Sequence, residues 1–149
     1  MFRGVANLSL DAKGRMAIPA RYRDRLRESC GGRMIVTIDQ DGCLLIYPLP
    51  EWERIEQALM SQPNMDPRVR RLQRQLVGHA QDVEMDGHGR ILVPAALREY
   101  AGIEKQAVLV GQGRKFELWD EERWNAEREA WQAEAEHGDP AAALESLSL

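Results

Sequence analysis

Long apolar runs are missing from this chain, and so are the residue clusters behind most enzyme and metal chemistry. No stretch approaches the roughly 20 consecutive apolar residues that span a bilayer, and the opening MFRGVANLSL lacks the apolar block of a secretory signal. A cytoplasmic location and no membrane partner are the expectations. Cysteine occurs only as Cys30 and Cys43, neither in a CxxC arrangement nor beside a histidine pair. That pattern supports neither a metal site nor a structural disulfide, and both thiols are expected as small buried residues. His79 and His137 stand far apart without ligand companions. There is no G-x-S-x-G and no Walker loop, and VGQGRK (110–115) has too few glycines, in the wrong context, for a dinucleotide fingerprint. No metal, no cofactor, no small-molecule substrate and no enzymatic activity are expected.

The formal net charge of −4 argues against a nucleic-acid partner only if the charge is spread evenly, and it is not. From Met1 to Arg27, seven basic residues (Arg3, Lys13, Arg15, Arg21, Arg23, Arg25, Arg27) face two acids, Asp11 and Asp24, a local balance of +5. From Phe116 to the C-terminus, ten acids face Arg123 and Arg128, a balance of −8. An acidic protein can therefore present a basic surface, although a charge run is more often a solvated face.

What the chain does contain is one phrase written twice. LSLDAKGRMAIPARYR (8–23) aligns without gaps on VEMDGHGRILVPAALR (83–98), matching at Asp11/Asp86, Gly14/Gly89, Arg15/Arg90, Pro19/Pro94, Ala20/Ala95 and Arg23/Arg98. The likeness continues from 32–55 into 105–126, where Tyr47 answers to Trp119 and Trp52 to Trp124. A unit of this length, present twice, reads as a pseudo-two-fold domain rather than a solenoid.

Each copy reads as strand, turn, strand, short helix, hairpin, helix. In D-x-x-G the aspartate bonds its own backbone two residues on and the glycine accepts positive φ, so the motif is a turn. Pro19 and Pro94 open helices where a missing N–H costs nothing. MIVTID and CLLIYP form the first hairpin, AVLVGQGRKFELW the second. LPEWERIEQALM is amphipathic, with Trp52, Ile55 and Leu59 on one face. Between the copies, Asp66 and Pro67 predict the N-cap and first residue of a helix whose apolar stripe is Val69, Leu72, Leu76 and Val77, opposite Arg70, Arg71 and Arg74. Asp120 is expected to cap the last helix, which carries Trp124 and Trp131. The expected units are a first repeat (1–60), a helical connector (61–79), a second repeat with the C-terminal helix (80–137) and a loosely held tail (138–149).

With two copies of D-x-x-G-R, an apolar strand and P-A, plus the N-terminal MFRG and the LLIYPLPEWE and KFELWDEERW stretches in order, the chain closely resembles the MraZ family from Met1 to about Trp131. These are bacterial regulators encoded at the head of the division and cell-wall gene cluster. The resemblance implies a mainly β fold with peripheral α-helices: an AbrB/SpoVT-like swapped-hairpin barrel, built here from two internal repeats in one chain. It also implies a nucleoid-associated transcriptional regulator. Such a protein binds double-stranded DNA at short G-rich direct repeats in its own operon promoter and assembles into a homo-oligomeric ring.

On that reading Arg15 and Arg90 are the DNA-binding arginines, each held extended by the aspartate four residues before it, Asp11 or Asp86, in turns shaped by Gly14 and Gly89. A planar guanidinium can take two acceptors on guanine or phosphate. Alternatively each pair merely staples its turn, worth no more than about 1 kcal/mol when exposed. Lys13, which shares the first tip where the second copy has His88, and Arg3, expected nearby, join them as DNA-binding residues, although an N-terminal arginine can also be purely solvated. Arg21, Arg23, Arg25 and Arg27 are spaced by two, which spreads them around a helix. The tryptophans sit on amphipathic faces and are expected in the core or an interface, not as a stacking platform for single strands. Two rival readings remain: an oligomeric scaffold or nucleoid-associated protein without sequence-specific regulation, and a hydrolase built on Asp11 and Asp86.

Overall fold

The structure, a computed structural model, describes residues 1–137; the tail expected at 138–149 lies outside the described residues. The first copy comprises β1 (Phe2–Ser9), β2 (Arg15–Ala17), α1 (Ala20–Cys30), β3 (Arg33–Ile38), β4 (Leu44–Pro48) and α2 (Leu49–Met60). After the connecting helix α3 (Pro67–Leu76), the second repeats the order as β5 (Gln81–Glu84), β6 (Arg90–Leu92), α4 (Ala95–Ala101), β7 (Gln106–Gly113), β8 (Lys115–Asp120) and α5 (Glu121–His137).

Local chemistry sets the boundaries. Pro19 and Pro94 occupy the N-cap positions of α1 and α4, and Gly31 and Gly102 end those helices in the left-handed conformation that a β-carbon disfavours. Asp66 caps α3 through Oδ1, which accepts from Arg68 N–H at 2.9 Å, and Asp120 Oδ2 accepts from Arg123 N–H at 3.2 Å. At the other end of α3, the buried Thr37 hydroxyl donates to the Leu76 carbonyl at 2.6 Å, satisfying one of the carbonyls a helix end leaves open.

The copies fold through each other. One antiparallel sheet runs β1-β7-β8-β4-β3-β5, so each copy's hairpin is bordered by the other copy's first strand. The sheet's two edge strands, β1 and β5, continue through the D-x-x-G-R turns into β2 and β6, which pair with each other as a separate two-stranded ribbon. The barrel implied by the resemblance thus takes the form of a six-stranded sheet whose edges are tied together by a ribbon.

The main core lies between sheet, ribbon and helices α1 and α4, and includes Met16, Ile18, Leu26, Val36, Ile46, Ile91, Val93, Leu97 and Phe116. Each such side chain contributes about 1.5–3 kcal/mol by leaving water. Phe2, Tyr22 and Phe116 stack in it with ring centroids 4.3 to 5.7 Å apart. Two smaller clusters under α2 and α5 hold the equivalent pairs Tyr47–Trp52 (5.6 Å) and Trp119–Trp124 (5.9 Å). Three tryptophans are therefore buried, as expected, while Trp131 lies at the surface against Trp124. In α3, Leu76 and Val77 pack on the Tyr47–Trp52 cluster, but Leu72 is left 43 % exposed, so the expected stripe is only partly covered.

Candidate nucleic-acid interface

Both D-x-x-G-R segments fold into the same hydrogen-bonded tip. Asp11 Oδ1 accepts from the backbone N–H of Lys13 at 3.0 Å and of Arg15 at 2.9 Å, and its Oδ2 accepts from Arg15 Nε at 2.7 Å. Asp86 Oδ1 accepts from His88 N–H at 2.8 Å and Arg90 N–H at 2.9 Å, and its Oδ2 from Arg90 Nε at 3.1 Å. Gly14 and Gly89, at φ +89° and +76°, close the turns by donating to Asp11 O and Asp86 O at 2.9 and 3.0 Å.

These donors hold Asp11 down from 3.8 to about 2, the Arg15 backbone N–H contributing most, followed by the Arg15 side chain and the Lys13 N–H. Asp86 is lowered in the same way, chiefly by the Arg90 N–H. Each carboxylate is an ionised acceptor, not a group poised for proton transfer near neutrality. Only the Nε of each arginine is engaged by the aspartate. The two outer nitrogens of each guanidinium have no bonded acceptor among the described residues.

The ribbon brings the two arginines together. Its register pairs Arg15 with Leu92, Met16 with Ile91 and Ala17 with Arg90. Alternation along a strand sends Met16 and Ile91 inward, each 1 % exposed, and Arg15, Ala17, Arg90 and Leu92 outward. Arg15 and Arg90 are thus diagonal neighbours on one face, with backbones about 7–8 Å apart.

Lys13 is exposed at the first tip, as expected. Arg3 does not join it: it pairs with Gln112 near the opposite end of β1, roughly 20 Å from the first turn at about 3.3 Å per residue. The arginines of α1 divide by helical period. Arg21 lies over the Tyr22 ring and Arg25 over the Phe2 ring, with Arg25 also donating to the Met1 carbonyl. Arg23 and Arg27 reach the second copy's turn, where Arg27 donates to Asp86 O at 3.4 Å.

Sequence reading did not assign the role of Arg23 and Arg98. Ile18 N–H donates to Gly89 O at 2.8 Å and Val93 N–H to Gly14 O at 3.0 Å, so each copy's chain is bonded to the other copy's turn. Arg23 Nε donates to Ile18 O at 2.7 Å and Arg98 Nε to Val93 O at 3.0 Å. Their guanidinium groups lie on the opposite glycines: a methyl at Gly14 would stand 2.6 Å from Arg98 Cζ, and one at Gly89 2.7 Å from Arg23 Cζ. The only signal in the sequence is that the arginines recur at matching positions, five residues after Ile18 and Val93.

One cluster of metal-ligand types is not visible in the spacing of the sequence: Asp39, Cys43 and Glu117 bring their ligand atoms within 4.8 Å of one another. One oxygen of each carboxylate already accepts a hydrogen bond. Asp39 Oδ2 accepts from Asp41 N–H at 3.0 Å, and Glu117 Oε1 from the Trp119 indole at 3.0 Å. Burial, with Glu117 and Asp39 beside it, pushes the Cys43 thiol well above its ordinary range. The cluster carries no metal assignment.

Fold and site define a two-repeat, swapped-hairpin β protein that displays paired, carboxylate-oriented arginines on one ribbon. The sequence model of the MraZ protein family, described as antitoxin-like, matches the chain twice, at residues 1–75 and 76–145. The protein named transcriptional regulator MraZ in Thioalkalivibrio sulfidiphilus is 68 % identical over the full length of both chains. Its namesake in Halorhodospira halophila is 56 % identical over the full length of both. That of Pseudomonas aeruginosa is 59 % identical over 87 % of each. The chain belongs to the MraZ family.

Proposed function

We propose that this protein is a DNA-binding transcriptional regulator whose interface is the β2–β6 ribbon and its two turns. One observation carries the reading: Arg15 and Arg90 share the outward face of one ribbon, each pinned at Nε by an aspartate and, among the described residues, free at its outer nitrogens. A two-stranded ribbon fits the major groove, and a pre-extended guanidinium there can take guanine O6 and N7 together. Lys13 supplies phosphate contact at the first tip, and His88 makes the second tip less strongly cationic. The names of the relatives support regulation of transcription, and the family resemblance supports short G-rich direct repeats in the chain's own operon promoter as the target.

Such a ribbon reads only a few base pairs, too few to select one promoter. Assembly of several copies into a ring resolves this by presenting identical ribbons to successive repeats. Met60 at the end of α2, Met65 ahead of α3 and Leu72 within it are exposed apolar residues suited to contact with another copy. The test is a titration of labelled DNA from upstream of the protein's own gene against equal-length scrambled duplex at physiological salt. Preference for the upstream DNA by at least about 10³-fold is expected of a specific regulator. Equal affinity for both would favour the scaffold reading.

A further inference from the structure

The turns that carry Arg15 and Arg90 are not shaped by their own copies alone. From Asp11, a continuous path of contacts runs into the second copy: Gly14 N–H bonds Asp11 O, Val93 N–H bonds Gly14 O, and Arg98 Nε bonds Val93 O. Arg98 then folds back so that its guanidinium covers Gly14, and Gly14 is buried beneath it. The mirror path runs from Asp86 through Gly89, Ile18 and Arg23, whose guanidinium covers Gly89. In each case the residue between, Val93 or Ile18, is gripped at its N–H by the turn and at its carbonyl by the arginine.

We infer that Arg98 and Arg23 are positioning residues that act crosswise: Arg98 of the second copy sets the turn that carries Arg15, and Arg23 of the first copy sets the turn that carries Arg90. The inference rests on the proposed role of those turns in DNA binding. Its physical basis does not depend on DNA. A glycine at positive φ has wide backbone freedom, and the Asp–Arg pairs are exposed enough to be weak by themselves. A planar group seated on the glycine peptide, held by its own Nε bond, removes alternatives that an ammonium on a flexible stem would leave open. Positive φ already favours glycine at both turn positions, and a β-carbon there would in addition displace the other copy's guanidinium.

Two measurements on the full-length protein test this. The first uses amide hydrogen exchange without DNA. Arg98→Ala is expected to speed exchange at the Lys13 and Arg15 amides, which bond Asp11, and to leave the His88 and Arg90 amides protected; Arg23→Ala gives the reverse. Equal loosening of both turns by either variant, or no change in either turn, overturns the inference.

The second is a crossed set of double variants titrated on the upstream duplex at low salt. Arg98→Ala is expected to weaken binding about tenfold by itself, to lose most of that effect when Arg15 is already alanine, and to keep it when Arg90 is alanine. Arg23→Ala should show the opposite dependence. Independent, full effects in both backgrounds would mean that Arg98 touches phosphate directly and would overturn the positioning role. Arg98→Lys keeps the charge and is expected to behave like Arg98→Ala; wild-type behaviour would overturn the role, and this variant also serves if the alanine variant does not fold. Crossed exchange in a protein that fails to bind the upstream DNA would sink the DNA reading and leave the crosswise positioning standing.

Discussion

Met16 and Ile91 face each other at the centre of the β2–β6 ribbon, both fully within the main core, and this single pair fixes which way the ribbon faces. With these two side chains inward, strand alternation leaves Arg15 and Arg90 no alternative to the outward face. Ile91→Ala should therefore cost about 2–5 kcal/mol of stability through the cavity it leaves. It should also weaken DNA binding, because the ribbon loses its anchor. Urea denaturation checks the first effect and anisotropy titration below the denaturation range the second.

Acid should spare the turns until well below neutrality. The Asp11 carboxyl is at about 2 in the folded chain against an ordinary 3.8, so its stabilising contribution is fully present above 3.8 and is lost as pH falls through the folded value. The difference in stability between the wild-type protein and Asp11→Asn is expected to be constant from pH 8 down to about 4 and to shrink between about 4 and 2. Denaturation at a series of pH values measures it; a difference that changes between pH 5 and 8 would mean that another group controls the turn.

Salt separates the two kinds of cation at the first tip. Lys13→Ala should weaken binding similarly for all duplex sequences and lower the slope of log K against log salt by about 1, as the loss of one phosphate contact requires. An unchanged slope would remove Lys13 from the interface.

The local code of this fold was legible and its cross-copy contacts were not. The D-x-x-G-R turns, the proline starts of α1 and α4, the Asp66 and Asp120 caps and the burial of Trp52, Trp119 and Trp124 all follow from spacing and short-range chemistry. The pairing of β1 with β7 and of β5 with β3 joins residues far apart in sequence, and it was implied only by the family resemblance. Arg3 shows the same blindness. Its place in a basic N-terminal segment suggested the tip, yet an extended strand carries it to the far end of the sheet. Arg23 and Arg98 were visible as a repeat, but a guanidinium seated on a distant glycine leaves no periodic trace. Glu117 joins Asp39 and Cys43 for a similar reason: β8 lies beside β4 in the sheet, not in the sequence.

The proposed ring would make the spacing of DNA repeats matter. If adjacent copies in a ring engage successive repeats, binding to several correctly spaced repeats should exceed binding to one by roughly 10²–10⁴. Inserting about half a helical turn, roughly 5 base pairs, should turn the second repeat away and remove most of that gain. Titration of one-repeat, multi-repeat and phase-shifted duplexes reads this directly, and equal affinity for all three would mean that the copies act independently.

On the proposed function, Arg15 and Arg90 are presented for DNA and do not merely staple their turns. Anisotropy titration of the upstream duplex with Arg15→Ala, Arg90→Ala and Arg15→Lys, at one fixed salt concentration, measures this most directly. Each alanine variant is expected to lose about 1–3 kcal/mol of binding per engaged ribbon, with the smaller loss allowed at Arg90, while folding and oligomer size stay unchanged. Arg15→Lys should fail to restore affinity, since an ammonium lacks the planar fork. Wild-type affinity in the folded alanine variants would contradict the account.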